Sequence, residues 1–434
     1  MQISKLIYIG GKSMTQQGDL SNLALYGGPK TRTKPFIGRS LIGEEEKNAA
    51  IALFDQSIAS GEAFGYNGPE EEAYCKEFAE FMGGGYADAV SSGTNAVYVA
   101  LRALDIEPFT EVIVSPITDP GGMMPIPLMN CIPVVADSAP GKYNTSAEEI
   151  EKLISPLTSA IVVAHIGGEP CDIDNIVELA KKYNIPVVED VSQSHGAKYK
   201  GKYLGSFGDI AAFSTMFGKH HCTGGQGGIV YTKREDLYWK IRRVADRGKP
   251  FGLPEGSTNC VASLNMNLNE LAAAIGRQQL KKLPGIVERR RSFVARLTEE
   301  FKNLKTIKIP EQLPSAEPSY WWWRLEVNID NITCDKETYC KALIAEGIPL
   351  NPSYRAAMPH KMDWFKNRAV FGTSGYPWAA PEYKGDRNRE FPTPNAVDAT
   401  ERQFNLTVFE SWTDEDAKDI IEAFKKVEKA FIKK

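Results

Sequence analysis

The sequence predicts an α/β protein: a large domain with a mainly parallel sheet between helices, then a smaller C-terminal α+β domain. Three observations predict it. Between about residues 87 and 232, short β-branched runs alternate with stretches of helical periodicity, the pattern of strand–helix–strand crossovers. Several of these runs are apolar throughout rather than alternating, as strands covered by helices on both faces must be. A chain of 434 residues also exceeds one ordinary compact domain, so two are expected.

Each element has its own justification. The opening "MQISKLIYIGGKSMTQQGD" has two lysines and a very short apolar patch without a small-residue cleavage site. It is not read as a signal peptide, and Met14 is an alternative start. "AVSSGTNAVYVALRAL" (89–104) reads as a strand end, a turn and a helix with Ala96, Val97, Ala100, Leu101 and Leu104 on one face. Strands are expected at 111–115, 132–137, 159–165, 185–190, 209–214 and 228–232. Helices are expected at "SAEEIEKLIS" and "IDNIVELAKKYN", with Asn184 closing the second. A long helical stretch, 268–303, leads to the second unit. That unit begins near "LPSAEPSYWWWRLEVNID" and ends in "TDEDAKDIIEAFKKVEKAF", a helix with Thr413 as N-cap and acids in its first turn. Trp321–Trp323 are read as strand packing plus a pocket wall. Arg289–Arg291 are read as a solvated helix face. Residues 355–392, rich in Gly, Pro and aromatics, read as a long irregular loop of the kind that forms substrate walls. Tyr354, Arg355 and His360 are candidate contacts there.

Composition excludes several classes. The net charge of −4 comes from interspersed acids and bases, so no basic stripe suggests nucleic acid. No apolar run is long enough to cross a bilayer. Seven cysteines are scattered without a CxxC pair, which suits single buried thiols in a reducing cytoplasm. No metal site is expected.

Four groups carry candidate chemistry, three of them at expected strand ends, where ligands gather in such sheets. Gly93 and Thr94 open a helix with their amides outward, a seat for phosphate. The same residues also suit an ordinary capped helix. Asp190 ends an apolar strand, and a buried carboxylate there needs a cationic partner. A protonated pyridine would serve, with Gln193 one turn on near a ring hydroxyl; a cap or structural ion pair is the alternative. Ser214 ends a further strand. Five residues later comes Lys219, followed by "GGQGG", which permits tight turns. An amine in a partly desolvated pocket has a lowered pKa and attacks an aldehyde. His220 is the competing base.

In "SSGTNAVYVALRAL", "TEVIVSPIT", "IPVVADS", "AHIGGEPCDID", "VVEDVSQSHGAKYKGKYLGSFGDIAAFS", "GKHHCTGGQGGIVYT", "LNELAAAIGRQQLKKL" and "WTDEDAKDIIEAFKKV", the chain resembles the DegT/DnrJ/EryC1/StrS sugar aminotransferases of the fold-type I pyridoxal-phosphate superfamily. The resemblance runs from about residue 22 to the end. It implies an N-terminal extension (1–40), a large domain binding pyridoxal 5'-phosphate (41–290) and a small domain (291–434). "LALYGGPKTRTKPF" looks like the branch acting on inosose-type cyclitol ketones and aminobenzoate precursors.

The implied roles are Lys219 on the cofactor aldehyde, Asp190 on the pyridine nitrogen, and Gly93, Thr94 and Ser214 on the phosphate. Gln193 would lie near the ring hydroxyl and Ser192 against the ring face. Asn265 would reach the phosphate of the neighbouring subunit's cofactor, making the site a homodimer property. Three positions depart from the family. Asp119 stands for the usual ring-stacking aromatic, Asn267 for an arginine, and Gln226 for an acid between the glycines. The implied activity is transfer of an amino group from glutamate or glutamine to a keto-sugar or cyclitol ketone, in the cytoplasm. The alternatives are a deoxysugar 3-dehydratase using His220, or a non-catalytic regulatory cofactor binder.

Overall fold

In the computed structural model, which describes residues 20–433, the apolar runs form one sheet. The readings on the N-terminal leader and Met14 lie outside the described residues. Seven strands take part: β1 (Tyr86–Val90), β2 (Glu111–Val114), β3 (Ile132–Val135), β4 (Thr158–Ala164), β5 (Val187–Asp190), β6 (Ile210–Ser214) and β7 (Gly228–Thr232). Their order is β1-β7-β6-β5-β4-β2-β3. β3, β2, β4, β5 and β6 are mutually parallel. β7 is antiparallel to both β6 and β1, so β1 points the same way as the parallel block. The carboxyl ends of six strands therefore open on one edge.

Alternation along each strand builds two cores. Ile113, Ile161 and Val163 face one apolar cluster, with Phe78 and Leu283. Val112, Val114 and Val162 face the other, with Val97 and Leu101. Burying each such side chain contributes about 1.5–3 kcal/mol, which is why these runs carry no polar face. The covering helices include α1 (Pro69–Phe81), α2 (Gly93–Ala103), α3 (Ile173–Tyr183) and α4 (Glu270–Phe301). Asn184 ends α3 in the left-handed conformation, φ 55°, its N–H returning to Ala180 O; asparagine tolerates that region better than most side chains.

The C-terminal part has its own antiparallel sheet, β8 (Ile307–Lys308), β9 (Trp322–Val327), β10 (Leu350–Asn351) and β11 (Gln403–Thr407), ordered β8-β9-β11-β10. Its apolar cluster includes Trp323, Leu325, Phe404 and Leu406. Residues from α5 (Lys336–Ala345) and α6 (Asp414–Phe431) join them. Thr413 caps α6 in a reciprocal box with Asp416. α4 runs through residue 290, so the expected domain boundary falls inside one helix. Residues 355–392 hold only short helical turns. No helix among the described residues is long and apolar enough to cross a membrane.

One surface reading is corrected. Arg289 is exposed, but Arg290 is fully buried. It shares the inward face of α4 with Leu283, Ile286, Val287, Val294 and Leu297, and Glu410 neutralises it at 2.7 Å. Helical period placed a charge in the core, and a distant residue supplied its counterion.

Candidate active site

The carboxyl edge of the large sheet encloses a cavity of about 250 Å³. β1 delivers Ser92, Gly93 and Thr94 to it, β5 delivers Asp190, Ser192 and Gln193, and β6 delivers Ser214 and then Lys219. β5 and β6 are parallel neighbours, Asp190 pairing with Ala212, two residues short of Ser214.

The entry to α2 is shaped for an anion. Ser92 caps the helix, its Oγ accepting the Asn95 N–H at 3.1 Å. A Cβ on Gly93 would lie 2.4 Å from the Ser214 Cβ, so only glycine lets the end of β6 reach this turn. The first turn holds no acid, which leaves the positive end of the helix dipole and its free N–H groups uncompensated. Among the described residues, the Ser214 hydroxyl beside them accepts only a long contact from Met216 N–H, at 3.5 Å.

Asp190 is buried, and its Oδ1 accepts the Ser192 N–H at 3.0 Å. Burial pushes its carboxyl pKa up; the Ser192 hydrogen bonds and Lys219 oppose this. Gly122 packs so close that a Cβ there would stand 2.9 Å from Asp190 Oδ2. Gln193 is pinned at both ends. Its Oε1 accepts Gly167 N–H at 3.0 Å and its Nε2 donates to the Tyr354 hydroxyl at 3.1 Å.

Lys219 is only 5% exposed. Burial pushes its ammonium down to about 8, although Asp190 and Asp119 pull the other way. Its Nζ lies 3.8 Å from the centroid of the Trp321 ring. The loop that carries it is clamped through its backbone. Arg39 donates to the carbonyls of Gly218, Lys219 and His220, and Trp321 Nε1 donates to Gly218 O at 3.1 Å. His220 does not line the cavity. It is fully buried, its Nε2 3.1 Å from Ser319 O. His221 sits between Tyr74 OH (2.8 Å) and His195 Nδ1 (3.0 Å). Both histidines are pushed down by burial, His221 to about 3. They are core groups rather than pocket lining, and so is Cys222.

The profile of the DegT/DnrJ/EryC1/StrS aminotransferase family matches residues 44–379. The chain belongs to that family. It is 33% identical to the GDP-perosamine synthase of Escherichia coli O157:H7, over 66% of this chain and 76% of that one. It is 30% identical to an uncharacterized Methanocaldococcus jannaschii protein, over 90% and 96% respectively. Among solved structures, an aminotransferase from Psychrobacter cryohalolentis superposes with a TM-score of 0.77 at 28% identity, covering 91% of this chain and 98% of that one. The fold is therefore that of the family's aminotransferases, and the chain is an enzyme of that class.

Within this family member, Asn265 stands apart from the other candidate site residues. It is exposed, outside the cavity, and its Oδ1 accepts from Asn267 Nδ2 at 2.7 Å. Asp119 lines the cavity but spends Oδ1 on the N–H of Gly121, so it is a turn residue there. Gln226 lines the cavity and is exposed. Arg355 is exposed and paired with Glu401, while His360 is buried against Thr393. The tryptophan run divides: Trp323 is core, whereas Trp321 meets the lysine and Trp322 packs on Tyr354. Sequence reasoning passed over Thr118, Gly121, Gly122 and His165, which also line the cavity. The signal for the glycines was the "DPGG" turn right after "SPIT". Nothing local marked Arg39. A buried Glu71–Cys75–Asp88 cluster has the spacing of metal ligands, but it lies outside this cavity, with Asp88 3.3 Å from Arg242.

Proposed function

We propose that this aminotransferase uses pyridoxal 5'-phosphate bound at the carboxyl edge of the large sheet. It would carry an amino group from glutamate or glutamine to a keto-sugar or cyclitol ketone. The observation that carries this reading is the pairing of sides: Lys219 lines the cavity with Asp190, while His220 turns away to Ser319. That arrangement supports transamination and speaks against a dehydratase that uses His220 as base.

The residues suit the cofactor. An acid-free helix N-terminus and the Ser214 hydroxyl form a seat for its phosphate. Asp190, buried at the far wall, makes no ion pair with a cation among the described residues, so a protonated pyridine would supply the charge it lacks. When bound, the cofactor supplies an aldehyde for the amino group and a ring that takes up electrons. Lys219 is the residue that would hold that aldehyde, and its Nζ, when free, would take a proton from the donor's α-carbon and return one. Burial, which pushes the Lys219 ammonium down to about 8, makes that nitrogen easier to deprotonate than an ordinary lysine's. Ser192 would lie against the ring face, and Gln193, which Gly167 and Tyr354 fix, would sit near the ring hydroxyl. Gly93 and Thr94 would donate to the phosphate.

The E. coli relative is named for a nucleotide-linked aminosugar, which supports a sugar-like acceptor. We further propose a cytoplasmic homodimer in which exposed Asn265 reaches the partner's phosphate, and domains at 41–290 and 291–434. Borohydride reduction of the enzyme loaded with pyridoxal phosphate, followed by peptide mapping, tests the assignment. Label on Lys219 is expected. Bound cofactor with no covalent label would overturn it. A panel of ketosugars and inososes with a glutamate donor would identify the acceptor.

A further inference from the structure

The turn that carries Lys219 lies outside every strand and helix of the described residues. Among those residues the carbonyls of 218–220 accept no backbone N–H, so no ladder fixes the direction of the lysine and other groups must satisfy them. Arg39 takes all three. Its Nη1 donates to Gly218 O at 3.0 Å and to Lys219 O, and its Nη2 to His220 O at 3.0 Å. Its Nε donates to Glu410 Oε1 at 3.0 Å. The planar guanidinium fork makes these contacts together, which a lysine ammonium at the same place would not.

The opposite flank is built on the same carboxylate. Glu410 Oε2 accepts the Arg290 Nε–H at 2.8 Å and lies 2.7 Å from Nη2. Arg290 Nη1 in turn donates to Tyr320 O and Trp321 O, at 2.8 and 3.2 Å. Trp321 closes the circuit. Its Nε1 donates to Gly218 O at 3.1 Å, and its ring centroid lies 3.8 Å from the Lys219 amine. Gly218 O therefore receives two donors, one from each flank. The side chains of Arg39, Glu410 and Arg290 are only 11%, 4% and 0% exposed, and hydrogen bonds so far from water are strong and hold their geometry. None of the three lines the Lys219 cavity, so whatever they do for the reaction goes through the lysine.

We propose that Arg39 and Glu410 are positioning residues: with Arg290 and Trp321 they hold the 218–220 turn so that the Lys219 amine stays buried and faces the cavity. This rests on the reading of Lys219 as the reactive amine and goes beyond it, by assigning the placement of that amine to two residues outside the cavity. The titratable groups facing the amine are Asp190, Asp119 and His195. Burial outweighs the two acids and brings the lysine down to about 8. A loosened turn lets the amine reach water and lose that effect.

Arg39→Lys tests this, because it keeps a positive charge beside Glu410 and removes the fork. In the cofactor-free enzyme, mass spectrometry follows the pH dependence of Lys219 acylation and the amide exchange of residues 217–221. In the variant, Lys219 is expected to titrate higher, toward the ordinary 10.5, and the turn to exchange at least about tenfold faster. In the loaded enzyme the maximal rate of the amino-donor half-reaction should fall about 10–100-fold, the scale of a misplaced reacting group, with donor half-saturation changed less than about threefold. Arg32→Lys is the control. Arg32 fastens the same N-terminal segment to Asp416 and Asp419, and its variant should leave the Lys219 titration where it was. Trp321→Phe keeps a ring and removes one donor to Gly218 O; it should shift the titration the same way by less, and it carries the test if Arg39→Lys does not fold. Titration and exchange unchanged in Arg39→Lys would overturn the proposal. So would equal changes in Arg32→Lys, which would make attachment of the segment, rather than the clamp, the cause. These readouts need no cofactor, so their failure is distinct from a missing borohydride label on Lys219, which would count against the transaminase reading.

Discussion

Two buried cations, Arg290 and Lys219, are handled in opposite ways. In the region where α4 meets the C-terminal unit, Arg290 is neutralised. Glu410 pairs with it at 2.7 Å, and the carbonyls of Tyr320 and Trp321 accept from Nη1. At the carboxyl edge of the large sheet, Lys219 has no ion pair or side-chain hydrogen bond among the described residues, only an indole face. Burial lowers both, Arg290 to about 10 and Lys219 to about 8. For arginine the lower value leaves the charge intact at neutral pH. For lysine it brings the free amine within reach. A structural cation is given a counterion; one meant to react is left without one.

Perturbing each region in turn tests that contrast. The largest effect is expected for Lys219→Ala, which should lower the rate of the amino-donor half-reaction by roughly 10²–10⁴-fold, the range for losing a general base, with circular dichroism unchanged. The same residue makes a pH prediction. Between a folded value near 8 and the ordinary lysine value near 10.5, the unfolded chain binds more protons than the folded one, so stability of the cofactor-free protein should rise with pH across that window. Lys219→Met should flatten the rise in denaturant titrations, and a slope that persists would assign it to another group.

Glu410→Gln should destabilise the protein by about 3–5 kcal/mol, because Arg290 would stay buried without a counterion. Urea unfolding measures this, and an effect under about 1 kcal/mol would mean that the carbonyls suffice. Gly93→Ala follows at about 1–3 kcal/mol of strain, since the new methyl meets Ser214. Its signature should be a raised dissociation constant for pyridoxal phosphate. Tyr354→Phe is the mildest. Losing the hydrogen bond to Gln193 should cost about 0.5–1.5 kcal/mol, seen as a small loss of activity and a small fall in thermal midpoint.

What was legible in the sequence follows from which forces are local. The strands could be read because full burial on both faces leaves no room for polar residues, and their ends fell within two residues of expectation. Asn184 and Thr413 could be read because caps are made by neighbours in sequence. The order of strand ends brought Asp190, Ser214 and Lys219 into one cavity, as the crossover pattern implies. The rest depended on partners far along the chain. Arg290 looked like surface because Glu410 is 120 positions away, and Tyr354 meets Gln193 across 161. Trp322 and Trp323 differ in role because adjacent strand residues point to opposite faces, and Trp321 meets the lysine from just before that strand.

Arg39 has a consequence for how the enzyme comes into being. Its guanidinium joins three successive carbonyls of the lysine loop to Glu410, and the preceding stretch is fastened to Trp412, Asp416 and Asp419. Lys219 is translated 180 residues after Arg39, yet its clamp also involves Glu410, made long after it. A nascent polypeptide stalled before position 410 would hold all seven strands of the large sheet but not the full clamp on the 218–220 turn. Completion of the reactive amine's setting thus trails that of the sheet which presents it.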